Sequence, residues 1–174
     1  DDGLLLWSLA ANRARQFNTQ NDNFGAKIND RMVDILYAGQ SQLERRDCTN
    51  FEKTASRVLH LMILPLIQST IWYAIRNEKS ANDEDLAVGE AMAYSVLPIV
   101  SKYDRAAASV IERNMIRVKN IEPVSEGPQV VANAFYKILD DISWGCEYVG
   151  QAEGKKIIPF ATTFLCCYFI AGVA

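Results

Sequence analysis

The residue types best suited to chemistry in this chain are tyrosines, carboxylates and an arginine on segments with helical periodicity. Phenolate and carboxylate oxygens are ligands that a hard cation such as ferric iron accepts, and an arginine can hold a companion anion. Two pairs share a helix face because their members are three or four residues apart, Tyr73 with Arg76 and Glu90 with Tyr94. The full set is Asp34, Tyr37, Tyr73, Arg76, Glu90 and Tyr94. The ordinary alternative is that these tyrosines bury their rings at the edge of a core and hydrogen-bond there.

The sequence carries no recognisable catalytic motif. Its single histidine, His60, lies between Leu59 and Leu61 on an apolar segment, which favours a structural role over a catalytic one. There is no GxSxG elbow, no GxGxxG fingerprint and no phosphate loop. The acidic run at 83–85 suits a helix start, where the macrodipole favours negative charge, better than a metal cage. We therefore expect a protein that is not an enzyme.

The net charge and the cysteines restrict which partners and which cellular compartment can be expected. The net charge is −3 with a pI near 5.2, which gives no basic surface for nucleic acid. The four cysteines do not form a CxxC pair, and no Cys/His spacing of a zinc site is present. Cys48 and Cys146 lie in polar stretches, and a disulfide between them would indicate an oxidising compartment. Two free thiols in a reducing compartment are the alternative.

Helical periodicity dominates, and no segment alternates with period two, so we predict an all-α fold without a sheet. The expected architecture is a compact bundle of five to six helices. Apolar stripes run from Leu5 to Phe17 and from Ile28 to Leu36, with Gly39 as the predicted end of the second helix. A capping box at 49–52 predicts the start of a long helix that runs to about residue 77.

Prolines and polar caps organise the rest of the predicted bundle. Pro65 and Pro98 each lie late in an apolar helix and are expected to kink it. Asn82 and the acids at 83–85 predict one helix start, and Asp104 is placed to cap another. Pro128 suits a first helical position, before an amphipathic stripe that extends to Ile142.

The sequence divides the chain into three predicted parts. They are a helical extracytosolic domain at 1–144, a glycine-containing linker at 145–156 and an apolar tail at 157–174. The tail has no charged residue, and its eighteen positions reach the lower limit for a membrane helix. Its predicted membrane contacts are Phe160, Phe164, Leu165, Tyr168, Phe169 and Ile170. A buried core helix is the alternative. The tail lacks His, Glu, Gln and Asn, so it offers no ordinary ligand to a chlorophyll magnesium or a haem iron.

Four short segments resemble the low iron-inducible periplasmic proteins of algae, relatives of the phytotransferrins. They are LWSLA at 6–10 (followed by Arg13 and Phe17), PLIQSTIWYA at 65–74, GEAMAYSVLP at 89–98 and GCEYVG at 145–150. The resemblance implies an algal origin, an all-helical extracytosolic domain and a role in ferric iron binding and uptake. It singles out Tyr73, Glu90 and Tyr94 as metal ligands. The chain departs from the family in its single short domain, its sparse polar ligands and its apolar tail.

These features favour a non-catalytic, membrane-anchored scaffold or linker subunit of a membrane protein complex. The expected site is the luminal or periplasmic face of a membrane, with membrane protein subunits as partners and no cofactor. Given the algal resemblance, a linker between antenna and photosystem proteins at a thylakoid membrane is the specific expectation. The alternative is a domain for iron uptake that binds Fe³⁺ with a carbonate-like anion.

Overall fold

A computed structural model describes residues 6–80, 82–117, 122–139, 141–142 and 146–152 of the chain. The all-α prediction is confirmed: within these residues there are six helices of nine or more residues and no strand, apart from an isolated bridge between Gln20 and Ala26. The helices are α1 (Leu6–Phe17), α2 (Lys27–Glu44), α3 (Cys48–Lys79), α4 (Asp83–Tyr103), α5 (Arg105–Met115) and α6 (Pro128–Tyr136), followed by a single turn, α7 (Cys146–Val149).

Helix α3 is the axis of the fold and packs against α1, α2, α4, α6 and α7. It has 32 residues, and in the described part of the chain it is the helix long and apolar enough to cross a membrane. However, 61% of its apolar window is buried inside the bundle. The largest buried side chains on it include Leu61, Leu64, Ile67 and Ile71. Its composition is therefore explained by its place in the core, while the predicted membrane helix at 157–174 lies outside the described residues.

The start of α3 corrects one prediction. The helix begins at Cys48, and the Asp47 carboxylate accepts a hydrogen bond from the Asn50 backbone N–H at 3.3 Å. The predicted capping box, which placed the cap at Thr49, is wrong by two residues. Aspartate is among the preferred N-cap residues, and it precedes Thr49 in the chain, so it captures the first unpaired N–H groups.

The predicted end of α2 at Gly39 is also wrong, because the helix continues to Glu44. Gly39 is buried, and a Cβ atom there would lie 3.4 Å from Thr54 Cγ2 and 3.7 Å from Phe51 Cε2 of α3. The missing side chain lets α2 and α3 approach closely. The glycine therefore serves helix packing, and its conformational freedom is not used.

The starts of α4, α5 and α6 follow the sequence rules. Asn82 caps α4 by accepting the Asp85 N–H at 2.8 Å, and Asp104 caps α5 through the N–H groups of Ala106 and Ala107. Pro128 is the first residue of α6. Helices α3 and α4 continue through Pro65 and Pro98, and the kinks expected there stay predictions. Two hydroxyls on α3, those of Ser69 and Thr70, donate to backbone carbonyls one turn earlier.

Residues 146–152, the first half of the predicted linker, lie against the bundle. The buried side-chain amide of Gln68 on α3 donates to the carbonyls of Tyr148 at 3.2 Å and Val149 at 2.9 Å. The Gln151 backbone N–H donates to the Phe17 carbonyl at the end of α1, at 3.0 Å. The segment that leads toward the apolar tail is thus fixed to α1 and α3.

Candidate functional site

The three residues expected to bind iron have different neighbours. Tyr73 on α3 is half-buried, and its ring lies against Arg13 of α1. Glu90 on α4 accepts a hydrogen bond from the Arg117 side chain at 2.8 Å and one from the Arg117 backbone N–H at 3.3 Å. Tyr94 is 54% exposed. Each side chain therefore has its own surroundings, and Glu90 is engaged by a cation.

The other members of the oxygen-ligand set are exposed or paired with other side chains. Asp34 and Tyr37 are exposed on α2, and Asp34 lies 3.9 Å from the Arg31 guanidinium. Arg76 pairs with Asp85 at 2.7 Å. Across the described residues, no group of three or more His, Cys, Asp or Glu side chains is placed to hold a metal ion. The ferric iron site stays a prediction that the described contacts do not support.

That prediction has a spectroscopic signature. If Tyr73 and Tyr94 bind ferric iron, the loaded protein shows a visible tyrosinate-to-iron absorption band, because phenolate ligation creates a charge-transfer transition at the metal. The double variant Tyr73→Phe/Tyr94→Phe would lose the band, whereas Tyr37→Phe would keep it. A wild-type protein that stays colourless with ferric iron and bicarbonate removes the iron-binding alternative.

The feature of the described interior that most resembles a site is a buried arginine between α1 and α3. Arg13 is 7% exposed. Its Nε donates to Ser69 Oγ at 2.8 Å, and its Nη1 donates to Gln16 Oε1. The guanidinium carbon lies 5.8 Å from the Trp72 ring centroid and 5.4 Å from the Tyr73 ring centroid. Arg13 thus joins α1 to a hydroxyl and two aromatic rings that lie within little more than one turn of α3.

The electrostatics around Arg13 are unusual because every polar contact that the structure shows for it is neutral. No carboxylate among the described residues lies within 4.0 Å of its guanidinium. Burial lowers the pKa of Arg13, interaction with the Tyr73 hydroxyl opposes that shift, and the nearby Arg76 adds to it. A buried charge is costly unless it is paired, so the aromatic faces and the neutral acceptors compensate it only in part.

A polar network borders this cluster on the α4 side. Asp85 Oδ2 accepts from both Arg76 Nε and Asn82 Nδ2, each at 2.8 Å. Asn77 is buried next to it, and its Oδ1 has no hydrogen-bond partner among the described residues. A Cβ atom at Gly89 would lie 3.1 Å from Asn77 Nδ2. The network links the end of α3 to the start of α4, and in it Arg76 forms an ion pair with Asp85.

His60 is half-buried on α3, and its Nε2 lies 3.1 Å from the Tyr103 hydroxyl at the end of α4. The two rings meet edge to face, with centroids 6.1 Å apart. Burial lowers the pKa of His60 below its ordinary value of 6.5, and the positive charge of Lys102 lowers it further. These contacts give the histidine a structural partner between α3 and α4, in line with the role that its apolar neighbours suggest.

This arrangement predicts a pH dependence of stability. The folded pKa of His60 is below the unfolded value, so the unfolded chain takes up a proton first as the pH falls through 6.5. The stability contributed by neutral His60 is therefore present above that pH and is lost as acid is added. We expect the stability difference between wild type and His60→Gln, measured by urea unfolding, to shrink from pH 7.5 to pH 5. Tyr103→Phe keeps the histidine and its pH slope. Identical slopes for wild type and His60→Gln would contradict the assignment.

The predicted Cys48–Cys146 disulfide is not formed. Cys48 is exposed and carries a free thiol at the first position of α3. The backbone of Cys146 starts the turn α7, which contacts Gln68, twenty residues further along α3. At 1.5 Å per residue that separation is about 30 Å, whereas a disulfide joins Cα atoms less than about 7 Å apart. The disulfide therefore provides no argument for an oxidising compartment.

A second candidate site is a surface, the outward side of α2. Four large apolar side chains are exposed there: Val33 (36%), Leu36 (54%), Tyr37 (66%) and Leu43 (51%). We call this set the α2 apolar face. It lies opposite the buried side of the helix, which Ile28, Ile35 and Gly39 turn toward α3. The sequence analysis assigned Leu36 to the inner stripe, and that assignment is wrong because Leu36 is one position beyond the core-facing Ile35.

Comparison with known proteins gives no relative: no protein-family model, no curated protein and no solved structure matches this chain. The resemblance to the algal iron-inducible proteins therefore stays a prediction.

Proposed function

We propose that this protein is a non-catalytic, membrane-anchored scaffold or linker subunit of a membrane protein complex, and that its helical domain docks on a partner subunit through the α2 apolar face. The observation that carries this proposal is the exposure of Val33, Leu36, Tyr37 and Leu43 along one side of a single helix. Contiguous exposed apolar patches on soluble domains commonly mark interaction sites.

The arrangement of the face suits a protein partner. The four side chains extend over eleven residues of α2, about 15 Å along the helix axis. Leu36 and Tyr37 lie at its centre, where a docked partner would exclude water most completely, and tyrosine is enriched among residues that dominate binding energy. Acidic and basic side chains border the face, including the Arg31 and Asp34 pair. An apolar centre with a polar rim is the usual anatomy of an interface.

The anchor in this proposal is the charge-free segment at 157–174. Residues 146–152 are held on α1 and α3, so the last described residues have a defined place near the Phe17 carbonyl. A domain fixed close to its own anchor would present the α2 apolar face in a restricted range of orientations to neighbouring membrane subunits. The algal resemblance makes a photosystem–antenna assembly, with this domain on the luminal face, the specific form of the proposal.

The proposal predicts that the double variant Leu36→Ser/Tyr37→Ser folds normally but loses its partner. Both side chains are more than half exposed, so their removal changes the stability by less than about 1 kcal/mol. Burial of the two side chains in an interface would contribute roughly 2–4 kcal/mol, which corresponds to a thirtyfold or larger loss of affinity. Recovery of partner proteins from mild-detergent extracts of native membranes, compared with wild type, measures the effect.

Tyr94→Ser is the matched control, because it removes an aromatic side chain of similar exposure from α4. The control should recover partners as wild type does. Equal recovery by the α2 variant and by wild type would mean that the α2 apolar face does not carry the interaction.

A further inference from the structure

The guanidinium of Arg13 is a buried positive charge for which the described residues provide no negative partner. Its two hydrogen bonds go to a hydroxyl, Ser69 Oγ, and to an amide oxygen, Gln16 Oε1. A guanidinium has five N–H groups in a rigid planar fork. Contacts to Ser69 and Gln16 account for two of them and the Tyr73 hydroxyl interacts with the guanidinium as well, so two donors remain.

The surroundings restrict what could supply the missing charge. The Trp72 and Tyr73 rings cover the guanidinium, with centroids 5.8 Å and 5.4 Å from its central carbon. Ser69 Oγ donates its own proton to the Pro65 carbonyl at 2.7 Å, so it acts toward Arg13 only as an acceptor. Gln16 and the two rings are half-buried, and Arg76 is exposed, so the cluster borders solvent on this side.

We propose that Arg13 is the binding site of a small carboxylate anion, which lies against the remaining N–H groups of the guanidinium with the Gln16 amide and Arg76 at its rim. A carboxylate presents two coplanar oxygens that match two parallel N–H groups of an arginine, and such bidentate pairs are short and strong. A single guanidinium between aromatic rings suits this flat, singly charged group better than a tetrahedral dianion, which requires more donors.

The site needs neither a metal ion nor the predicted iron ligands. Glu90 is engaged by Arg117 and Tyr94 is exposed, and neither contacts Arg13 in the structure. The anion would bridge α1 and α3 at the level where residues 146–152 pack, because Phe17 on α1 contacts Trp72 and its carbonyl accepts the Gln151 N–H. Binding would therefore stabilise the folded bundle by linkage, since the unfolded chain lacks the site.

The test uses the full chain in mild detergent, with acetate as the probe and chloride at equal ionic strength as the reference. Acetate at ten times its dissociation constant should raise Tm by roughly 3–6 °C over chloride, and the rise should continue with the logarithm of the acetate concentration. Arg13→Met should abolish the acetate-dependent rise. Arg31→Met, which removes an arginine from the surface of α2, should keep it.

If Arg13→Met does not fold, two further measurements still test whether Arg13 binds the anion. Arg13→Lys retains the charge but not the planar fork, and it should bind acetate at least tenfold more weakly than wild type. Acetate should also change the tryptophan fluorescence of wild type along a saturable curve with the same dissociation constant, because the Trp72 ring covers the site. The proposal is overturned if acetate and chloride give the same Tm and fluorescence in wild type, or if the acetate response persists at full strength in the Arg13 variants.

Discussion

Replacement of Gly150 by alanine is expected to release residues 146–152 from the bundle. The backbone at Gly150 has φ +66°, and a Cβ atom there would lie 2.0 Å from the Phe17 carbonyl oxygen and 2.5 Å from Thr19 Cγ2. No rotation of a side chain relieves a contact with a backbone atom. The segment must move, and the hydrogen bond from Gln151 to Phe17 is lost with it. Backbone strain, steric overlap and lost contacts together cost roughly 3–5 kcal/mol.

Gly127→Ala is the matched control for this effect. Its φ is +85°, so alanine is strained there too, but the nearest heavy atom to the new Cβ is a side-chain oxygen of Glu78 at 3.9 Å. Only the backbone strain applies, about 1–3 kcal/mol, because φ +85° with ψ 154° is a conformation almost confined to glycine. Urea unfolding measures both losses. Equal losses of stability in the two variants would contradict the packing of residues 146–152 against α1 and α3.

Replacement of Gln68 by leucine is expected to destabilise the protein by roughly 2–4 kcal/mol, because it leaves buried acceptors without donors. The Gln68 side chain is buried on α3, and its Nε2 reaches the Tyr148 and Val149 carbonyls and, at 3.3 Å, the Thr19 hydroxyl. Leucine fills a similar volume but donates nothing. The loss therefore comes from polar groups rather than from a cavity.

Hydrogen exchange would show which backbone amides lose protection in the Gln68 variant. In Gln68→Leu the amide of Gln151 should exchange much faster than in wild type, because the segment that carries it is no longer held. Gln40→Leu is the control: Gln40 is exposed on α2, and its side-chain amide donates to Glu44 at 3.2 Å, so its replacement should leave the exchange of Gln151 unchanged. An unchanged exchange rate of the Gln151 amide in Gln68→Leu would show that other contacts hold residues 146–152 on the bundle.

Local rules predicted the features of this fold that depend on neighbouring residues. Asn82 and Asp104 accept the first N–H groups of their helices, and Pro128 occupies a first helical turn, as their types require. The same rules failed at Gly39. Its role is decided by contact with Thr54 and Phe51 on another helix, and a helix stop and a packing glycine look alike in sequence.

The candidate sites were less predictable because they depend on which helices meet. Arg13 and Ser69 are separated by 56 residues, so no spacing rule joins them. The one available signal was an arginine at the edge of an apolar stripe on α1. The contacts of Gln68 were not predictable for the same reason, since this residue lies in an apolar run of α3 and its partners are far away in the sequence. The α2 apolar face was missed because Leu36 follows Ile35 directly, and helical periodicity alone did not decide which of them is buried.

The state of the chain in native membranes tests the proposed function most directly. The tagged full-length protein would be extracted with a gentle detergent and separated by size without denaturation, and the proteins that co-elute would be identified. The account predicts that it remains in the membrane fraction after a salt wash and co-elutes with specific membrane proteins, at a mass well above its own 19.5 kDa. Recovery as a monomer in the soluble fraction, without detergent and without partners, would contradict it.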